Sequence, residues 1–242
     1  GNFGGIMPNA TMRLIRLIDS MVDEKGNVLI DGFYDEVRAP SRLELEEVSR
    51  IPLDEGAFFK EVGIERLPGD PSLSFHHRLY FRPNLNVNAF SAGYTGKGIR
   101  TTIPSHAVAK IDIRLVVDQE PEKIYDRLTA HIRKMGFNDV EVKGGLPDCY
   151  RPYKVPMDHP YTGCVVEAAT LGFGEKPLMV PTMGGSDPTA AFALGLNQPG
   201  FKVPYALPDE NNHAPNENLS LDMFFGGIRT SAALLDTFSR IE

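Results

Sequence analysis

Three short stretches of this chain concentrate side chains able to do chemistry beside turns. The first is Pro208-Asp209-Glu210-Asn211-Asn212-His213-Ala214-Pro215-Asn216-Glu217. A histidine among carboxylates on a rigid loop is a candidate zinc ligand, because neutral imidazole and carboxylate oxygen both suit that ion. One histidine does not make a metal site, and the same residues also read as a solvated acidic loop whose Asn218 or Ser220 caps the last helix. The second is Gly184-Gly185-Ser186-Asp187-Pro188, leading into a helix. Backbone N–H groups at such a helix start can hold an anion or a developing oxyanion. A Ser or Asp N-cap with Pro at the first helical position accounts for the same residues structurally. The elbow of a serine nucleophile needs a glycine where Pro188 stands. The third is Thr101 with Arg114: guanidinium is the group best shaped to clamp a carboxylate through two parallel hydrogen bonds, and the threonine adds a hydroxyl donor. The alternative is an ordinary arginine on an exposed sheet face.

The other titratable candidates read as structural. His76-His77, His106, His131 and His159 show no ligand spacing such as HxxxH, and His131 falls on a helix expected to be exposed. Cys149 and Cys164 are the only cysteines, not in CxxC spacing, and read as packing residues in a reducing, cytoplasmic compartment.

The elements that must position these residues follow from periodicity. Leu14, Ile15, Leu17, Ile18, Met21 and Val22 form an apolar stripe, predicting a helix from about Ala10 to Val22 capped by Asn9. Val28-Leu29-Ile30 is a short strand candidate. The acidic segment Pro40 to Gly63 predicts one or two amphipathic helices, its glutamates a solvated face. Leu85, Val87 and Ala89 alternate as a strand. From Val108 to Val117 the period is two, with Val108, Lys110, Asp112 and Arg114 on one side and Ala109, Ile111, Ile113 and Leu115 on the other. A helix from about Pro121 to Met135 and a strand at Asp139 to Val142 complete a small α+β unit. The proline-rich join from Arg151 to Pro160 is the expected boundary. Beyond it, helices at about 160–171, 188–194 and 221–238 and a strand at Pro177 to Val180 predict an α/β layer with too few strands to close a sheet. Its apolar faces are expected to be exposed.

Bulk composition excludes some classes. Of 242 residues, 42% are hydrophobic and the formal net charge is −7, with basic residues scattered. That argues against a nucleic-acid partner, which calls for clustered Lys and Arg. No stretch approaches the ~20 apolar residues that cross a bilayer, and the N-terminus lacks the basic start and apolar core of a signal peptide.

Taken together, Gly1-Asn2-Phe3-Gly4-Gly5, Gly96 to Pro104, Lys110-Ile111-Asp112-Ile113-Arg114-Leu115, Gly184-Gly185-Ser186 and His213-Ala214-Pro215-Asn216-Glu217 resemble, in order and spacing, the co-catalytic zinc metallopeptidases. That family includes carnosinase-like dipeptidases, aminoacylases, acetylornithine deacetylases and succinyl-diaminopimelate desuccinylases; the segments after Ala10 look most like the carnosinase branch. The resemblance covers essentially the whole chain. It implies an α/β fold: a ferredoxin-like α+β lid that also forms a homodimer, over residues 1–151, and the C-terminal part of the catalytic α/β domain, over residues 152–242. It implies hydrolysis of the amide bond of dipeptides or N-acyl amino acids, with two zinc ions per intact site activating a water. By position His213 resembles the last zinc ligand. Arg114 and Thr101 resemble substrate contacts on the lid, Thr101 reaching the partner subunit's site. Gly185 and Ser186 resemble a substrate-binding turn.

The remaining ligands, the general base and a lid histidine of that family are expected before Gly1. No catalytic residue is therefore assigned here, and the chain is expected to be a fragment that neither retains zinc nor hydrolyses peptides alone. The alternative is a non-enzymatic dimerisation or regulatory module of the same descent.

Overall fold

The structure is a computed structural model and describes residues 2–145 and 149–241; Gly1, at the head of the first glycine-rich motif, lies outside the described residues. In chain order the elements are α1 (Ala10–Asp19), α2 (Arg42–Val48), α3 (Glu55–Val62), α4 (Phe75–Phe81), β1 (Asn84–Ala92), β2 (Ala107–Arg114), α5 (Pro121–Lys134), α6 (Thr162–Phe173), α7 (Thr189–Leu196) and α8 (Leu221–Ser239). The fold is mixed α/β, and the described residues divide into two compact units. The first draws on Gly1–Ala39, Leu53–Tyr153 and the short Gly184–Pro188 segment; the second on Pro40–Pro52, Lys154–Met183 and Thr189–Glu242.

The first unit is built around an antiparallel β1–β2 hairpin. Asn84 stands opposite Arg114, Asn86 opposite Asp112 and Val87 opposite Ile111, with a register shift between Val87 and Ala89. Period two then sorts the side chains. Leu85, Ile111 and Ile113 face the core formed by Leu17 of α1, Met21, Phe33, and Ile124 and Ile132 of α5. Helix α1 ends at Asp19 rather than at Val22, so Met21 lies just after it. Asn84, Asn86, Asp112 and Arg114 share the opposite, polar face. Asn9 caps α1 by accepting from the Met12 amide, and Pro121 opens α5, as expected.

Several expectations differ from the structure. Asp139 to Val142 is not a strand: Val140 and Val142 pack against the core, yet the segment has no ladder partner among the described residues. Pro177 to Val180 likewise shows alternating burial without strand pairing. A strand is completed by its neighbour, so alternation alone does not make one. Helix α4, unanticipated, is started by Ser74, whose hydroxyl accepts from the His77 amide. His131 is buried rather than exposed, its Nε2 lying 3.0 Å from Ser20 Oγ at the end of α1. Cys149 is exposed, not packed.

In the second unit α6 and α8 pack closely through small residues. Ala168, Ala169 and Gly172 of α6 and Gly226, Gly227 and Thr230 of α8 are buried, and Arg229 Nε donates to the Gly172 carbonyl at 2.9 Å. His159, Tyr161, Phe201 and Phe238 form an edge-to-face ring cluster. The glutamates of α2 are not a solvated face. Glu44 and Glu47 are buried; Glu44 closes a capping box with Ser41 and pairs with the buried Lys154. Burial pushes the Glu44 carboxyl up, but the Lys154 ammonium and the Ser41 amide outweigh it and hold it below the usual carboxylate range. Large apolar side chains stand exposed on this unit, including Phe192, Leu196, Leu221, Phe225 and Leu235, the last 78% exposed. No helix among the described residues is long and apolar enough to cross a membrane.

Candidate functional site

Two sequence-distant candidates meet in the first unit. Arg114 is the last residue of β2, and its Nη1 donates to Ser186 Oγ at 2.8 Å. Its Nε faces Asp112 Oδ2 at 2.8 Å, two residues back on the same face of β2. The guanidinium is therefore tied at two nitrogens, and Nη2 carries no partner among the described residues. Because Ser186 Oγ accepts from Arg114, its own proton is available to donate. Nη2–H and the Ser186 hydroxyl thus form an exposed pair of donors beside a positive charge, a geometry that suits a carboxylate.

The turn carrying Ser186 is shaped by its glycines. A Cβ placed on Gly184 would lie 2.7 Å from Leu79 Cδ1 of α4, so the turn approaches α4 more closely than a side chain allows. Gly184, Gly185 and Ser186 are all exposed, leaving the Gly185 backbone open to solvent. Helix α7 begins at Thr189, immediately after Pro188.

Thr101 is not brought to Arg114. It is exposed in the connection between β1 and β2, whereas Arg114 closes the other end of the hairpin. Ala107 to Arg114 spans seven residue steps, about 24 Å of antiparallel strand. Thr101 lies beyond Ala107, in the connection at the far end of that strand.

His213 is exposed in the loop before α8, with φ 60°, flanked by Asn211 and Asn216 that also take left-handed backbone. Ser220, one of the two caps expected, starts α8 by accepting from the Met223 amide. Under the same loop Glu210 is buried, and its Oε1 has no hydrogen-bond partner. Among the described residues no three His, Cys, Asp or Glu side chains converge as a metal-binding group. The donor set present does not by itself fit a two-metal centre, and no chemical step is assigned through one.

Asp112 is the neighbour of Arg114 that residue types alone did not single out. Its signal was the period of the strand, which puts residue 112 beside residue 114 on the polar face.

The chain is 25% identical over 248 residues to a Beta-Ala-His dipeptidase of Rattus norvegicus, covering 100% of this chain and 50% of that one. It is 26% identical over 261 residues to a Cys-Gly metallodipeptidase of Saccharomyces cerevisiae, covering 99% and 50%. It therefore spans about half the length of the curated relatives it matches. Among solved structures, an M20 family metallo-carboxypeptidase from Sulfolobus solfataricus superposes with a TM-score of 0.90 at 30% identity, over 99% of this chain and 55% of the other. Human carnosine dipeptidase 1 shares the fold, with a TM-score of 0.75 at 24% identity over 100% and 51%. The family profile described as peptidase dimerisation domain matches residues 1–140, more than half of the chain, and the chain belongs to that M20 dimerisation-domain family.

Proposed function

We propose that this chain supplies the dimerisation lid and a C-terminal catalytic segment of a metal-dependent hydrolase that cleaves the amide bond of dipeptides or N-acyl amino acids. The observation that carries the reading is the Arg114–Ser186 contact, 2.8 Å long between residues 72 positions apart. In this reading Arg114 Nη2 and the Ser186 hydroxyl hold the free carboxylate of the substrate, with the Gly185 backbone beside them. His213 is one metal ligand, zinc being the expected ion. Thr101 lies in the β1–β2 connection, beyond the strand end opposite Arg114, which supports Thr101 acting in the site of a second copy rather than in its own. Residues 1–151 act as lid and 152–242 as catalytic segment, and the exposed apolar side chains of the second unit are covered by further catalytic polypeptide. The functional state is a homodimer through the lid with a small-molecule substrate, without nucleic-acid or membrane partners. Having only two cysteines, not in CxxC spacing, suits the cytoplasm.

Binding of N-acetylglycine by the 242-residue chain, measured by NMR titration against the neutral N-acetylglycinamide, tests the carboxylate site. Preference for the acid that disappears in Arg114→Met is the expected result; equal binding by Arg114→Met overturns it. One histidine cannot hold two metal ions, so the chain alone is expected not to hydrolyse dipeptides with added zinc. Turnover by material cleared of longer enzyme would refute that expectation. A second reading, a non-enzymatic dimerisation module, is favoured by the match of residues 1–140 to a dimerisation domain. It predicts a lid dimer that shows no preference for the acid.

A further inference from the structure

We infer that Asp112 is the positioning residue of the carboxylate site, fixing which edge of the Arg114 guanidinium is presented to the ligand. The inference rests on Arg114 being the carboxylate contact. Asp112 and Arg114 lie two residues apart on one face of β2, and the Asp112 Oδ2 to Arg114 Nε distance is 2.8 Å. Across the hairpin, Asn86 stands opposite Asp112 and Asn84 opposite Arg114. Those two asparagines bond to each other, Asn86 Nδ2 donating to Asn84 Oδ1 at 2.7 Å. Lys110 shares this face, but the ion pair given for the Asp112 carboxylate is to Arg114.

A guanidinium on a four-torsion stem samples many orientations when one side of it is free. Asp112 holds Nε and Ser186 holds Nη1, so the planar fork is fixed from two directions and Nη2 remains for the ligand. A fixed fork loses little freedom when a carboxylate arrives. Asp112 also places a negative charge near the incoming anion, which opposes binding. Its two effects are separable by chemistry. Asparagine keeps an oxygen within reach of Nε and drops the charge of the ion pair, whereas alanine drops both. Were Asp112 only a surface charge, both substitutions would help an anion bind. As a positioning residue, the two must diverge.

The test uses the 242-residue chain, N-acetylglycine as probe and the Arg114 Nε–H resonance as a second readout. Asp112→Asn is expected to bind at least as tightly as the parent and to keep a slowly exchanging Nε–H signal. Asp112→Ala is expected to bind about three- to tenfold more weakly, the cost of immobilising one long side chain on binding, and to lose that signal. Asp112→Ser serves as the second small variant should alanine perturb folding, with the same expectation. Alanine and serine variants that bind as well as the parent, or that retain the protected Nε–H, overturn the inference while Arg114→Met still abolishes binding. Failure of the parent to prefer the acid, or undiminished binding by Arg114→Met, overturns the carboxylate reading itself and this inference with it.

Discussion

Gly172→Ala puts the packing of the second unit to a quantitative test. A Cβ at this position would lie 1.9 Å from Thr230 Oγ1, 2.8 Å from the Thr230 amide nitrogen and 2.9 Å from the Gly226 carbonyl oxygen. Ordinary contact begins at 3.4 Å, so the worst overlap is 3.4 − 1.9 = 1.5 Å. A rotated threonine side chain could relieve that contact, but the other two neighbours are backbone of α8 and cannot turn away. The helices must separate along a seam where Thr230 is fully buried. Overpacking of this kind costs about 1–3 kcal/mol, and two backbone contacts place it at the upper end. Alanine recovers about 1 kcal/mol of helix propensity over glycine. The net loss is therefore about 2 kcal/mol, read from urea unfolding of the 242-residue chain. Adding Thr230→Ala should restore less than half of it, since the backbone clashes remain. A Gly172→Ala chain within 0.5 kcal/mol of the parent, below the range of roughly 1–3 kcal/mol for overpacking, would mean that α6 and α8 do not meet at this distance. The seam matters beyond stability, because α8 begins directly after the loop that carries His213.

Two further predictions address buried charge. Lys154→Met strands the Glu44 carboxylate in a buried position and should cost about 3 kcal/mol in urea unfolding; the double variant with Glu44→Gln should regain most of that, and equal stability of the single variant would refute the pairing. Stability should also fall as pH drops below about 6.5. Burial holds His131 below the ordinary histidine range against the opposing pull of Asp31, and burial, with a smaller contribution from Arg82, does the same for His77. The unfolded chain then takes up protons that the folded chain does not, so this contribution is full above the unfolded pKa and is lost beneath it. Asp31 and Glu36 are held below their usual range by hydrogen bonds from Lys134 and Arg127 respectively, so their contribution is lost only at more acid pH. Melting temperatures at pH 7.5 and 5.5 should differ, with a smaller difference in His131→Gln; a flat profile would refute the argument.

What could be read from the chain in advance depended on whether a relation lived within one element. The Asn9 cap, Pro121 at the start of α5 and the two faces of β2 are local and found as expected, while the stripe forms an α1 that ends at Asp19, short of Val22, with Ile15 exposed. Relations between elements were not legible. Asp139 to Val142 and Pro177 to Val180 alternate correctly, but no residue within either segment can say whether a neighbouring strand is present to complete its ladder. Glu44 looked like surface because its partner Lys154 lies 110 residues away. His131 looked exposed because Ser20 and the α1 terminus that bury it lie on another helix. Helix α4 had no apolar period to announce it, only Ser74 before an aromatic and histidine-rich run.

The same division runs through the candidate site. Arg114 and Ser186 were nominated separately, by residue type and by resemblance, and neither stretch contained any sign of the other. Their contact is a product of tertiary structure, which is why it weighs more than either motif. Asp112 was available all along from strand period, yet residue type alone gave no reason to prefer it over Lys110 on the same face. Only the ion pair with Arg114 Nε distinguishes the two. Thr101 shows the converse. Residue types paired it with Arg114, the family resemblance places it in the partner subunit's site, and it lies in the connection at the end of the hairpin opposite Arg114. If both contact one substrate, they belong to different copies of the chain, and the dimer is then a requirement of the site rather than an accessory to it. Thr101→Val should therefore weaken substrate binding in the assembled dimer while leaving N-acetylglycine binding by a dissociated subunit unchanged; an equal loss in both states would place Thr101 in its own subunit's site and break the link between lid dimerisation and substrate recognition.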